Sequence, residues 1–119
     1  MRFSVVIPLY NKAPYVRKAL QSVYDQTFRD FELIVVDDGS TDESFIRAKE
    51  SLDGSGLDYQ LIHQDNAGVG TTRNNGVAAS RGDFICFLDA DDWWEPTFLE
   101  RMDWLIREYP AAGIYGVNY

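Results

Sequence analysis

Two short acidic runs carry most of the residues able to do chemistry. Asp37-Asp38-Gly39-Ser40-Thr41-Asp42 and Asp89-Ala90-Asp91-Asp92 hold six of the nineteen acidic residues. Each run follows an apolar stretch, Phe31 to Val36 and Phe84 to Leu88. Carboxylates gathered in one place repel and raise one another's pKa, and a bound cation reverses that penalty. Oxygen ligands, with no His or Cys in either run, suit a hard divalent ion, Mg2+ or Mn2+. Such an ion takes one or two carboxylates and fills its shell with phosphate and water. The simplest ligand is therefore a diphosphate held through the metal by Asp89 and Asp91, whose Asp-x-Asp spacing lets both face one ion from a tight turn. The plainer reading is turn and helix-cap chemistry, which Asp-Asp-Gly-Ser satisfies equally well.

Gly68-Val69-Gly70-Thr71-Thr72-Arg73 is a loosened loop leading into a helix N-terminus, a setting suited to an anion. It is not a dinucleotide fingerprint: Arg73 stands where the third glycine belongs, and the run does not follow the first strand. Arg73 would reach a phosphate or a base, or else pair with one of the many acids on the surface. His63, the one histidine, has no partner motif and reads as structural, and Cys86, the one cysteine, reads as a small buried apolar group. Trp93-Trp94 is the better ligand wall, and Trp104 reads as core.

The elements that position these residues alternate. Phe3 to Ile7 is apolar on both faces, as a central parallel strand requires, and Pro8 is expected to end it. Asn11 is expected to cap a helix with Pro14 in its first turn and a Val16, Leu20, Val23-Tyr24 stripe. A second strand runs from Phe31 to Val36, a helix from about Asp42 to Leu52, a third strand from Leu57 to His63 and a helix from about Thr71 to Ser80, closed by Gly82 as its C-terminal cap. A fourth strand, Phe84 to Leu88, leads to a helix after Pro96 and a last strand over Gly113 to Val117. This alternation predicts an α/β fold: a mostly parallel sheet with helices on both faces, in the spatial order third, second, first, fourth. Ligands of such sheets bind beyond the carboxyl ends of the strands where the order reverses. The loops there are Pro8 to Tyr10, Asp37 to Asp42 and Asp89 to Asp92.

The chain has 119 residues, 45% of them hydrophobic, and a formal net charge of −8. That is one domain able to bury a core, and neither a disordered chain nor one suited to nucleic-acid or anionic-membrane binding. One cysteine excludes an internal disulfide, and no run is long enough to span a membrane. With no leader-like segment at Met1, the expected location is cytoplasmic, including the inner membrane face if the intact protein is peripheral.

Several ordered motifs together resemble the family-two glycosyltransferases. They are Val6-Ile7-Pro8-Leu9-Tyr10-Asn11, Gln26-Thr27-Phe28, Glu32 to Asp42, Asn66-Ala67-Gly68, Arg73-Asn74-Asn75-Gly76, Gly82-Asp83-Phe84 and Phe87 to Asp92. The resemblance spans about Ser4 to Tyr119. It implies the Rossmann-like nucleotide-binding half of a GT-A fold and an inverting transfer from a nucleotide-diphosphate sugar, with a uridine donor favoured, to an acceptor hydroxyl, as in polysaccharide biosynthesis. Carried over by position, it implies that Pro8, Leu9 and Tyr10 line the nucleoside pocket and that Asp38, with Asp37 nearby, hydrogen-bonds the base. Arg73 would approach the base or diphosphate, Asp89 the ribose and metal, and Asp91 the metal. Members of the family are about twice this length or more, so residues 1–119 are expected to be the nucleotide-sugar-binding part without the acceptor half or general base. The sheet edge left open predicts self-association. The acceptor, a glycan or lipid-linked glycan, is not specified. The alternatives are a metal-dependent phosphatase of the haloacid-dehalogenase type, whose acidic motif belongs after the first strand, and a non-catalytic nucleotide-binding or receiver-like module.

Overall fold

The computed structural model describes residues 1–110. The two central aliphatic runs become strands because each can be buried on both faces. Along β1 (Phe3–Leu9) every residue but Pro8 is buried, and along β2 (Phe31–Asp37) every residue is. The remaining elements are α1 (Val16–Tyr24), α2 (Ser44–Leu52), β3 (Tyr59–His63), α3 (Val69–Ala79), β4 (Phe84–Phe87) and α4 (Phe98–Glu108). All strand pairs are parallel and the order is β3-β2-β1-β4, as the alternation predicts. The reversal lies between β1 and β4, so a crevice opens beyond their carboxyl ends.

The two faces of the sheet are covered unequally. Phe3, Val5, Ile7 and Leu9 of β1 join Val16, Leu20 and Val23 of α1, Ala48 and Leu52 of α2, and Leu99, Met102 and Ile106 of α4 in the main core. The opposite face presents Val6, Ile34 and Val36 to a thinner layer that includes Ala79 of α3. Gln26 fixes the approach to α4. It is fully buried, gives its amide to the carbonyls of Ser22 and Glu95, and accepts the Leu99 N–H at 2.9 Å. That N–H is one of the donors a helix start leaves without an internal partner.

Five local expectations change. Pro8 does not end β1, which runs on to Leu9 opposite Asp37. The Val6 carbonyl faces β4 and the Leu9 carbonyl faces β2, so Pro8 faces the β4 side, where the strand has already ended at Phe87. Its missing N–H therefore costs no ladder bond. Asn11 is not a helix cap: it takes a positive φ of 48°, and its Oδ1 accepts the Thr41 N–H at 2.8 Å. Pro14 sits in the turn before α1. Gly82 does not cap α3, which ends in an extended Ser80. A Cβ at Gly82 would lie 2.7 Å from the Phe3 carbonyl carbon, the Ser4 N and the Ser4 Oγ, so only glycine lets this chain pass β1 so closely. Trp104 is 57% exposed, whereas Trp94 is the core tryptophan, stacked on Phe98 at 4.3 Å. The strand expected over Gly113 to Val117 lies outside the described residues. Among the described residues, no helix is long and apolar enough to cross a membrane.

Candidate functional site

A cleft of about 500 Å³ opens at the topological reversal. Its walls bring together Pro8 and Leu9 at the end of β1, Tyr10 after it, Asp38 after β2, Thr72 and Arg73 of α3, and Asp89 and Asp91 after β4. All but one of the residues expected to bind nucleotide or metal are therefore joined. The exception is Asp37, which is fully buried and turned away into the sheet. Its Oδ2 lies 2.8 Å from His63 Nδ1 and accepts the Ser40 N–H, while its Oδ1 has no partner. His63 sits across the β2–β3 ladder from Asp37 with its ring edge-on to Phe45, the structural role its lack of partner motifs implied.

The six acids do not form one repelling cluster, because Asp38 and Asp42 are engaged by N–H donors and Asp37 lies buried in the sheet. Asp38, 4% exposed, accepts from Gln64 Nε2 at 2.9 Å and Ala67 N at 2.7 Å on one oxygen. Its other oxygen accepts from Asn66 Nδ2 at 3.2 Å and Gly68 N at 3.0 Å. These four donors fill the acceptor positions of a carboxylate. Burial alone would push the Asp38 carboxyl up, but hydrogen bonds from Gln64, Ala67, Gly68 and Thr72 outweigh it and hold it below its ordinary value. The anion at the start of α3 is thus Asp38 itself, which ties residues 64–68 down as one wall of the cleft. Gly39, at φ +72°, permits this: a Cβ there would meet Asn66 N at 2.9 Å. Asp42 is likewise spent, accepting from Ala13 N and Ser44 N. Burial opposes its charge, and bonds from Ser44 and Ala13 prevail and lower its pKa.

Asp89 and Asp91 are the acids left facing the cleft, with side chains 59% and 47% exposed. The Asp89 carbonyl accepts the Asp92 N–H at 3.0 Å, which closes the expected tight turn. Asp92 does not join them, since its Oδ1 accepts the Trp93 N–H. Neither Trp93 nor Trp94 lines the cleft. Trp94 is in the core and Trp93 lies under Lys18 Nζ at 4.7 Å. Arg73 Nη2 stands 3.4 Å from Asp89, its guanidinium lies near the Phe87 ring, and its Nε is buried without an acceptor. Lys12 Nζ stands 3.5 Å from Asp91. Lys12 belongs to no motif of the sequence, and its place in the loop after the first strand was its one signal. Asn66 and Thr72 also line the cleft.

Among the described residues, no three His, Cys, Asp or Glu side chains gather closely enough to hold a metal by themselves. Two partly exposed oxygen donors on one turn still fit a hard divalent ion that draws the rest of its shell from a phosphate ligand and water.

The profile of glycosyl transferase family 2 matches residues 4–119. The chain belongs to this family. Glycosyltransferase GlyA of Streptococcus pneumoniae is 38% identical over 120 residues, covering 99% of the chain and 17% of GlyA. The solved structure of Staphylococcus aureus TarS 1–349 in complex with UDP-GlcNAc superposes with a TM-score of 0.85 at 30% identity, over 100% of this chain and 37% of that one. Mannosyltransferase PcManGT of Pyrobaculum calidifontis, in complex with GDP-Man and Mn2+, gives 0.82 at 27% identity, over 97% of this chain and 34% of the other. The nucleotide-binding GT-A architecture is therefore that of the described fold. The acidic turn follows β4, whereas the haloacid-dehalogenase reading needs it after the first strand. The chain spans 17% to 36% of the length of the first curated relatives it matches.

Proposed function

We propose that residues 1–119 are the donor-binding part of an inverting glycosyltransferase and that the cleft takes a nucleoside-diphosphate sugar, with uridine favoured. One observation carries this reading: Asp89 and Asp91 are the cleft's unspent acids, on a tight turn, each beside a cation. The GT-A neighbours, one bound to UDP-GlcNAc and another to GDP-Man and Mn2+, support it. Pro8, Leu9 and Tyr10 form the apolar side against which the nucleoside rests. Asp38 has no free acceptor for a base N–H, so it acts by holding residues 64–68 as the facing wall. Asp89 lies on the ribose side, Asp91 and Asp89 hold Mn2+ or Mg2+, and Arg73 meets the diphosphate. A divalent ion there neutralises the charge that builds on the departing diphosphate. The general base and acceptor, a glycan or lipid-linked glycan, are assigned to no residue of this cleft.

Thermal unfolding of the chain with UDP or GDP, with and without Mn2+, tests the reading. Ligand at 100 times Kd adds about 2.7 kcal/mol, or roughly 10–20 °C for a domain of this size. The metal-dependent part of the shift should vanish in Asp91→Asn. No shift with either nucleotide in the presence of Mn2+ refutes the assignment.

A further inference from the structure

We propose that Lys12 is a phosphate-binding residue that waits on Asp91: it pairs with Asp91 and turns to the donor's sugar-linked phosphate once a cation takes that carboxylate. This rests on the donor reading above.

Three observations lead to it. The first is a rigid mount. The Lys12 N–H donates to Ser44 Oγ at 2.8 Å, and its carbonyl accepts the N–H groups of Tyr15 and Val16 at 2.9 and 3.0 Å. Asn11 just before it holds a left-handed φ of 48° and is clasped from both sides. Its N–H donates to Ser40 Oγ, and its Oδ1 accepts from Thr41. A non-glycine residue at positive φ persists where its surroundings impose it. Here the imposed bend carries the chain from the end of β1 to Lys12 on the cleft wall opposite Asp91.

The second is mobility at the tip. The Lys12 side chain is 41% exposed and its ammonium is 3.5 Å from Asp91 Oδ2, a pair open to solvent and weak enough to exchange. A flexible four-carbon stem with three rotatable donors suits a group that changes partners.

The third is charge. With Asp38 spent on four N–H donors, the cleft wall holds two free acids and two cations, paired Arg73–Asp89 and Lys12–Asp91. With Asp38 still ionised the wall carries one net negative charge, and a diphosphate adds more than the wall can meet while both cations stay on carboxylates. A divalent ion on Asp91 removes one pairing and frees the Lys12 ammonium for charge-assisted bonding to phosphate.

Lys12 therefore has opposite effects on the two ligands, competing with metal alone and assisting the metal-bound nucleotide. The test compares the wild-type chain with Lys12→Gln and Lys12→Arg. Free Mn2+ is titrated by electron paramagnetic resonance without nucleotide, and UDP and GDP are titrated by calorimetry at saturating Mn2+. Lys12→Gln should bind Mn2+ alone about two- to fivefold more tightly, as expected on losing an exposed ion pair. It should bind nucleotide about tenfold or more weakly, as expected on losing a hydrogen bond to a charged group. Lys12→Arg should keep both properties near wild type, which separates loss of charge from loss of fold. Parallel weakening of both ligands in Lys12→Gln, or unchanged nucleotide affinity, overturns the role of Lys12 and leaves the donor reading standing. Failure of the wild-type chain to bind either nucleotide overturns both.

Discussion

Replacing Asp38 by Asn separates an acid that builds the cleft from the acids that face it. The change is nearly isosteric, but it turns one acceptor oxygen into a donor. One carboxylate oxygen receives Gln64 Nε2 and Ala67 N; the other receives Asn66 Nδ2 and Gly68 N. Whichever way the new amide points, it faces two donors, one of them a backbone N–H that cannot be flipped. Gln64 is half-buried and Asn66, Ala67 and Gly68 are exposed, so water reaches the released donors and the loss is about 1–3 kcal/mol in all. Asp91→Asn removes only a solvent-exposed ion pair with Lys12, worth about 1 kcal/mol at most. Urea unfolding at pH 7, followed by circular dichroism, should give Asp38→Asn a lower midpoint with unchanged slope, and a melting temperature lower by on the order of 10 °C. Asp91→Asn should stay within a few degrees of wild type. Equal losses in the two variants, or a loss below about 1 kcal/mol in Asp38→Asn, would refute the claim that Asp38 is saturated by these donors.

Acid should destabilise the fold through Asp38, Asp42 and Glu32. Burial would raise the Glu32 carboxyl, but bonds from Ser4 and Arg81 and the Arg81 charge hold it below its ordinary 4.5, and the two aspartates lie below 3.8. Groups lowered in this way stabilise fully above their unfolded values, so stability should fall progressively as pH drops below about 4.5; a flat urea midpoint between pH 5 and about 3 contradicts this. Gly82→Ala forces a Cβ to 2.7 Å from Phe3 and Ser4 backbone atoms. It should cost about 1–3 kcal/mol or more in calorimetry, and a wild-type melting temperature would argue that β1 and the Arg81–Gly82 segment can part freely. Burial pushes the Cys86 thiol up to about 12, so iodoacetamide at pH 8 should label it only on unfolding; rapid labelling of the native chain would show β4 opening readily.

The two central strands were legible because their apolar runs have no polar side, and a segment buried on both faces suits the inside of a parallel sheet, whereas β3, half-exposed, carries only a loose alternation. That pattern, with the helix-period segments between the strands, placed the cleft at the carboxyl ends of β1 and β4 and brought Pro8, Tyr10, Arg73, Asp89 and Asp91 to its wall. Side-chain identity did not separate Trp94 from Trp104, since each lies near a helix and the core covers only one of them. Pro8 looked like a terminator because the neighbouring ladder's end at Phe87 is set by another strand.

Sequence alone determined which carboxylates come to the crevice edge, because topology follows from local period and the right-handed crossover. It did not determine which of them stay free. Asp37, Asp38 and Asp42 look like Asp89 and Asp91 in the chain, yet their oxygens are engaged by His63, by Ala67 and Gly68, and by Ala13 and Ser44. Most of those partners lie more than twenty residues away, and a hydrogen bond to a distant backbone N–H depends on where the fold carries that group, not on which residue bears it. The same holds for Lys12, whose neighbour Asp91 is brought to it only when β1 and β4 lie side by side.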